Sequence, residues 1–252
     1  MQTSRLAEWQ KIEQMGEAMN RPEKHLANLL AEPGRLDRFS GSGGGLFYDY
    51  SRQRVDQGVL AALRKLAESR ALLKRFGQMA AGEKINVTEN RAALHTAARS
   101  FSEDPIRVDG KDVMPAIRAE REKMKDFSEQ IRQGRITGST GRPFTDAVVV
   151  GIGGSYLGTE FVSRALAADA DGLRLHFLAN VDVHDFGRIA AEIDPETTLW
   201  IVISKSFTTA ETMANARLAE EFMRSGGIDP AVHTVSVTAK GSPGDDPDRP
   251  LL

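Results

Sequence analysis

The sequence predicts an α/β fold: a parallel sheet flanked by helices, preceded by a mainly helical N-terminal region. Two observations carry this reading. From Asp146 onward, four short runs rich in Val, Leu and Ile alternate with helical patterns. That alternation is the signature of right-handed crossovers joining parallel strands. Before Asp146, apolar residues recur at helical spacing on a polar background, which marks amphipathic helices.

The elements follow in order. Leu6, Trp9, Ile12 and Met15 outline a first helix. Pro22 opens a second, and Pro33-Gly34 closes it. The run Gly41-Ser42-Gly43-Gly44-Gly45 reads as an irregular turn or loop, because glycine leaves the backbone maximally free. It serves either as a flexible connector or as a second phosphate loop. Leu46-Phe47-Tyr48-Asp49-Tyr50 reads as a short strand or edge. Val59, Leu60, Leu63, Leu66 and Leu73 mark a helix over 55–76, and 89–101 and 113–131 give two more. Strands follow at 147–151, 173–178, 199–203 and 233–237, with helices at 157–168, 183–193 and 210–223 between them. Pro143 marks the boundary, giving a helical region 1–143 and an α/β domain 144–252. No internal repeat is visible.

A length of 252 residues fits one or two domains. Hydrophobic residues at 40% and charged residues at 27% are ordinary for a globular protein. A net charge of −2 argues against a general nucleic-acid binder. Without cysteine there is no disulfide framework, thiolate metal site or Cys nucleophile. No apolar run approaches the ~20 residues of a membrane span, and the first residues lack a signal-peptide core, so no membrane partner and a cytoplasmic location are expected. Charge is uneven. Basic residues outnumber acidic ones 25 to 19 over 1–145, whereas acidic residues lead 13 to 6 over 146–238. An anion bound by the second segment must therefore be held by local groups.

Ligands of open α/β sheets bind where strands end and helices begin, and two such junctions stand out. The first is Gly151-Ile152-Gly153-Gly154-Ser155-Tyr156-Leu157-Gly158. Its glycines allow close backbone approach, Ser155 adds a hydroxyl, and the following helix aims its free N–H groups at the same place. The dinucleotide spacing G-x-G-x-x-G fails at Tyr156, and no Walker lysine is present. A tight strand–helix turn without ligand is the plainer reading. The second junction is Ser204-Lys205-Ser206-Phe207-Thr208-Thr209. One hydroxyl there serves as an ordinary N-cap. Four hydroxyls and a lysine suit a phosphate dianion. Together the two loops point to a small phosphorylated ligand.

The stretches VVVGIGGSYLGTEFVSRAL and WIVISKSFTTAETMANA resemble the sugar isomerase domain of the glucose-6-phosphate isomerase family. GEKINVTENRAALHTAAR, residues 82–99, resembles that family's own N-terminal stretch. The resemblance covers 39–246. Tyr156 stands where many members have Asp, and Ser206 where many have Thr, its hydroxyl kept. The resemblance implies a three-layer αβα domain that takes glucose 6-phosphate and fructose 6-phosphate and interconverts them through a cis-enediolate, with no cofactor and no metal. It implies phosphate binding by Ser155, Ser204, Lys205, Ser206 and Thr209, with the Gly154 backbone beside them. It also implies a homodimer for the full-length family, with a histidine reaching across from the partner. That family is about twice this length. Its Gly-Gly-Arg-Tyr-Ser motif, base glutamate, ring-opening histidine and C-terminal lysine lie beyond the stretch matched here. The expectation is a chain that carries the phosphate side of the site, has no catalytic residue, and is inactive alone.

Other candidates read as structural. Glu211 and Glu160 suit first helical turns, where a carboxylate favours the dipole. His25, His95, His176, His184 and His233 show no metal spacing. Lys205, among hydroxyls, suits phosphate better than proton transfer. Met114, Met124 and Met213 read as packing residues. A non-catalytic sugar-phosphate-binding module is the alternative function, with the TENRAALH stretch and the helical lead-in against it. A dinucleotide-binding oxidoreductase loses at Tyr156.

Overall fold

A computed structural model describes Ser4, residues 6–167 and residues 172–246. The chain divides into two compact units, 1–118 and 119–252.

The first unit is built from helices and two small hairpins: α1 (Ala7–Met19), α2 (Leu26–Leu30), α3 (Arg35–Arg38), β1 (Ser40–Gly43), β2 (Leu46–Asp49), α4 (Gln57–Ser69), α5 (Leu72–Ala80), β3 (Arg107–Val108) and β4 (Lys111–Asp112). Helix α1 packs on α4. The start of α4 is fixed by Asp56, whose carboxylate accepts from the Val59 N–H at 3.0 Å and from Lys24 at 2.7 Å. Arg35 is buried and organises the loop before α4. Its guanidinium donates to the carbonyls of Ser51, Gln53 and Val55 at 2.8–2.9 Å and lies over the Phe39 ring.

Four expectations for this unit need correction. The 41–45 glycine run is no irregular loop. It is strand β1 and a two-residue turn, with Gly44 and Gly45 both at positive φ and Gly43 paired to Leu46, as a type I′ hairpin turn demands. The 55–76 helix is broken at Ala71, whose φ of 50° ends α4 and starts α5. The 89–101 helix is absent. Asn86 accepts from the Thr88 hydroxyl and the Glu89 N–H, local bonds that compete with a helix, and only a 3₁₀ turn forms at Ala97–Arg99. The segment after Pro22 splits into a 3₁₀ turn and the short α2.

In the second unit the strands are β5 (Asp146–Val150), β6 (Arg174–Leu178), β7 (Thr198–Ile203) and β8 (Thr234–Val237). They form one parallel sheet in the order β6-β5-β7-β8. Helix α6 (Met114–Arg132) enters this unit, and α7 (Leu157–Leu166), α8 (Val183–Glu192) and α9 (Ala210–Ser225) connect the strands. Position 168, the expected end of α7, lies outside the described residues. Alternation along the strands builds two cores. Val148, Val150, Trp200 and Val202 face Phe186 and Ile189 of α8 and Met213, Ala216 and Met223 of α9. Ala147 and Leu199 face the other way, toward Ile131 of α6 and Phe144, with Phe127, Ile201 and Val235 around them. Each large side chain so buried contributes about 1.5–3 kcal/mol. Met114 and Met213 are buried as expected, whereas Met124 is exposed.

Strand order decides where a site can form. From β5 the chain crosses to β6 on one side and then returns to β7 on the other. The C-terminal ends of β5 and β7 are therefore neighbours whose connections leave in opposite directions. Such a switch point opens a crevice in doubly wound sheets.

Candidate functional site

Both loops singled out from the sequence lie at this switch point, since Val150 of β5 pairs in register with Val202 of β7. The first loop turns back sharply after β5. A Cβ placed on Gly151 would sit 3.3 Å from Ser155 Cβ and 3.4 Å from the Ile203 carbonyl oxygen. Gly151 is thus wedged between the two loops, and Ser155 and the end of β7 flank the same few ångströms. Gly153 adopts a φ of 55° and opens a 3₁₀ turn, Gly153–Ser155, that delivers the chain to α7. Gly154 is exposed and Ser155 half-buried.

The second loop closes on itself. Ser204 is buried, and its Oγ accepts from the Phe207 N–H at 3.1 Å and lies 3.5 Å from Thr209 Oγ1. The Thr208 hydroxyl donates to Ser206 Oγ at 2.7 Å. Lys205 is exposed; its carbonyl accepts from the Ala239 N–H at 3.1 Å and the Thr238 hydroxyl at 3.3 Å. Ser204 and Thr209 therefore come together, while Ser206 pairs with Thr208.

The helix starts at the sheet's C-terminal edge differ in a telling way. Helix α8 is closed by Asp182, whose carboxylate accepts from the His184 N–H at 2.8 Å. Helices α7 and α9 begin at Tyr156 and Thr209 with no side-chain cap. Their first-turn N–H groups have no intrahelical partner, and the positive ends of both dipoles lie beside the hydroxyl loops. That combination accepts an anion. The Thr209 hydroxyl, well placed to cap α9, is not spent on capping.

The carboxylates nearby do not resemble a poised base. Glu160 receives hydrogen bonds from the Tyr156 hydroxyl and from Arg164, which together hold its carboxyl below the usual range. The same bond to Glu160 pushes the Tyr156 phenol up. Glu211 is exposed in the first turn of α9. His176 pairs with Asp146, His233 is wholly buried in backbone hydrogen bonds, and His25 accepts from the Ala27 N–H at the start of α2. Among the described residues no group of His, Asp and Glu is arranged to hold a metal, and no helix is long and apolar enough to cross a membrane.

Sequence reasoning missed Phe207. Its φ of 54° places a bulky residue in the left-handed region at the centre of the hydroxyl loop, a conformation uncommon for any residue but glycine and most unfavourable for a bulky one. Nothing in the residue order signals it. Asn215 was also missed; buried in α9, it donates to the Asn180 carbonyl at 3.0 Å and ties the loop after β6 to the same edge.

A family model for phosphoglucose isomerase matches residues 49–242. The glucose-6-phosphate isomerase of Desulfosudis oleivorans is 55% identical over 249 residues, covering 97% of this chain and 46% of the relative. The cytosolic glucose-6-phosphate isomerase of Zea mays is 44% identical over 222 residues, covering 85% of this chain and 39% of the relative. A crystal structure of a glucose-6-phosphate isomerase from Chlamydia trachomatis superposes with a TM-score of 0.73 at 29% identity, covering all of this chain and 48% of that one. The chain spans about half the length of the relatives it matches.

Proposed function

The chain belongs to the phosphoglucose isomerase family, and from that membership we propose that it supplies the phosphate-holding part of an aldose–ketose isomerase that interconverts glucose 6-phosphate and fructose 6-phosphate. One observation carries the assignment. Two helices without side-chain caps, each led in by a hydroxyl-bearing loop, follow the adjacent strands β5 and β7 at the sheet's switch point. Gly154, Ser155, Ser204, Lys205, Ser206 and Thr209 hold the phosphate. Ser204 does so chiefly by bracing the loop, since its hydroxyl already meets Phe207 and Thr209.

The reaction needs a ring-opening acid and base, a carboxylate that moves a proton between C2 and C1, and a positive group for the enediolate charge. The phosphate lies away from the reacting carbons, so its contacts orient the sugar and contribute remote binding energy. No residue of this chain is assigned to the proton transfers. The sugar isomerase domain is taken to start at residue 144, after the helical lead-in 1–143. The complete enzyme is a cytoplasmic homodimer in this reading, in line with the cytosolic name of the maize relative.

Titration of the purified chain with glucose 6-phosphate, inorganic phosphate and glucose tests the assignment. The two phosphates are expected to perturb the amides of 153–157 and 204–211, and glucose to leave them unchanged. Indifference to both phosphates would sink it.

A further inference from the structure

Phe207, in the left-handed conformation, packs against a segment far from it in sequence. The aromatic ring is buried. A Cβ placed on Gly244 would lie 2.6 Å from Phe207 Cγ and 2.7 Å from Cε2. Gly244 has no positive φ, so the fold requires glycine there for this contact and not for the backbone angle. The ring sits flush against bare main chain.

The segment that carries Gly244 is itself anchored. After β8, residues 238–245 fold back over the hydroxyl loop. Ser236 Oγ donates to the Gly244 carbonyl at 2.7 Å. The hydroxyls of Thr238 and Ser242 meet at 2.6 Å, and the Gly241 N–H donates to the Asp245 carboxylate at 2.8 Å. Two donors of the segment, the Ala239 N–H and the Thr238 hydroxyl, converge on the Lys205 carbonyl. The Ser204 N–H donates to the Val237 carbonyl at 3.1 Å. Within the loop, the Phe207 N–H reaches Ser204 Oγ, and that hydroxyl meets Thr209 five residues on. A left-handed residue reverses the chain between those two ends.

We propose that segment 238–245 is a positioning strap for the phosphate loop, with Gly244 and Phe207 as its lock. Gly244 holds the Phe207 ring, the ring holds the left-handed turn, and the turn sets Ser204, Lys205, Ser206 and Thr209 relative to the free end of α9. This rests on the phosphate reading given above and names residues outside the phosphate contacts that determine its affinity. A bulky residue pays for a left-handed backbone only where its surroundings over-determine it, and such positions cluster at functional sites.

The test uses the full 252-residue chain, with inorganic phosphate as the probe and amide NMR and thermal melting as readouts. Gly244→Ala forces the Phe207 ring and segment 238–245 apart. Phosphate affinity is expected to fall by ~10-fold or more, since a displacement of this size in a close-packed site is not absorbed locally. The Cα and Cβ shifts of Phe207 should leave the left-handed range at the same time. Ser236→Ala, which removes one anchor of Gly244 without adding bulk, should weaken binding by a smaller factor and decides the matter if Gly244→Ala does not fold. Phe207→Gly keeps the left-handed backbone accessible without a ring, so adding it to Gly244→Ala should restore part of the lost affinity. A folded Gly244→Ala variant with wild-type affinity overturns the strap, as does a Ser236→Ala variant with wild-type affinity where Gly244→Ala is unfolded. A wild-type chain that takes up no phosphate brings down the phosphate reading itself, and the strap with it.

Discussion

Asp146 and Arg174 are partners in register at the first residues of β5 and β6, and Arg174 Nη2 donates to Asp146 Oδ2 at 2.8 Å. The other carboxylate oxygen lies 2.9 Å from His176 Nε2, and the Thr145 hydroxyl donates to Oδ2 at 2.8 Å. Asp146 is wholly buried, yet it is fully satisfied at the sheet edge opposite the site.

The first prediction follows from this cluster. Burial pushes the Asp146 carboxyl up, but the hydrogen bonds from His176, Arg174 and Thr145 outweigh it, so the group sits below its ordinary value. A carboxyl depressed by folding contributes stability that is fully present above its unfolded pKa, near ~4. That contribution is lost as pH falls through the folded value. Asp146→Asn should cost about 1.5–3 kcal/mol at neutral pH, the worth of hydrogen bonds to a charged group. The difference from wild type should shrink in acid below pH ~4. Urea midpoints at several pH values measure it, and a gap independent of pH would contradict the assignment.

A second prediction concerns Gly138, which lies against His233. A Cβ there would come 2.6 Å from His233 Nε2 and 2.9 Å from the Glu196 carbonyl. Nε2 accepts from the Ser139 N–H at 2.9 Å while Nδ1 faces the Thr198 carbonyl at 3.0 Å. This fixes the ring as the Nδ1–H tautomer. Gly138→Ala should destabilise by about 1–3 kcal/mol through overpacking. In His233→Ala the ring clash is gone and only the close approach to the Glu196 carbonyl remains, so the two substitutions should combine to less than their sum. Additive losses in equilibrium unfolding would mean that the two residues do not meet.

These contacts mark the limit of what the sequence discloses. The four strands and the helices between them were legible because a buried parallel strand reads as an unbroken apolar run, as at Val148-Val149-Val150. The two candidate loops stood out because glycines cluster in one and hydroxyls in the other, each directly after an apolar strand. Of the hairpin at Gly44-Gly45 only the second strand, β2 within 46–50, was legible; the first was not, since a Ser/Gly run carries no apolar alternation. Nor was the break at Ala71, where a good helix former takes a left-handed angle. The Phe207–Gly244 contact joins residues that no local pattern relates.

The third prediction is for the loops themselves. A hydrogen bond to a charged ligand is worth about 1.5–3 kcal/mol. Ser155→Ala and Thr209→Ala should each weaken phosphate binding by ~10–100-fold. Lys205→Ala should do so in a salt-dependent manner, its effect fading as ionic strength screens the pair. Glu211→Gln should change little. Calorimetric titration with inorganic phosphate at two salt concentrations separates these cases, and an intact affinity in Ser155→Ala would detach the first loop from the site.

A fourth prediction concerns α7. Leu157, Phe161 and Leu166 are 60%, 72% and 75% exposed, with Val162 beside them. Apolar surface of this extent promotes association. The chain alone should self-associate at rising concentration, and Phe161→Lys should reduce light scattering without lowering the melting temperature. Scattering unchanged by that substitution would clear α7 of the role.

The last prediction is that the 252-residue chain binds sugar phosphate without turning it over. Glu160 is engaged by Tyr156 and Arg164, and Glu211 stands exposed at a helix start, so neither is a poised base. An absent acid or base group forfeits ~10²–10⁴ in rate, and absent charge stabilisation about another 10²–10³. Such losses within one site need not multiply, but either alone removes useful turnover. Phosphate contacts orient the substrate and lower its dissociation constant, and binding alone does not move a proton between C2 and C1. A coupled assay should therefore detect no isomerisation by the chain, while glucose 6-phosphate still shifts its amides. Turnover abolished by Ser155→Ala or Thr209→Ala would instead place the proton-transfer groups among the residues described here. Glu160 and Glu211 would be the first to replace by Gln.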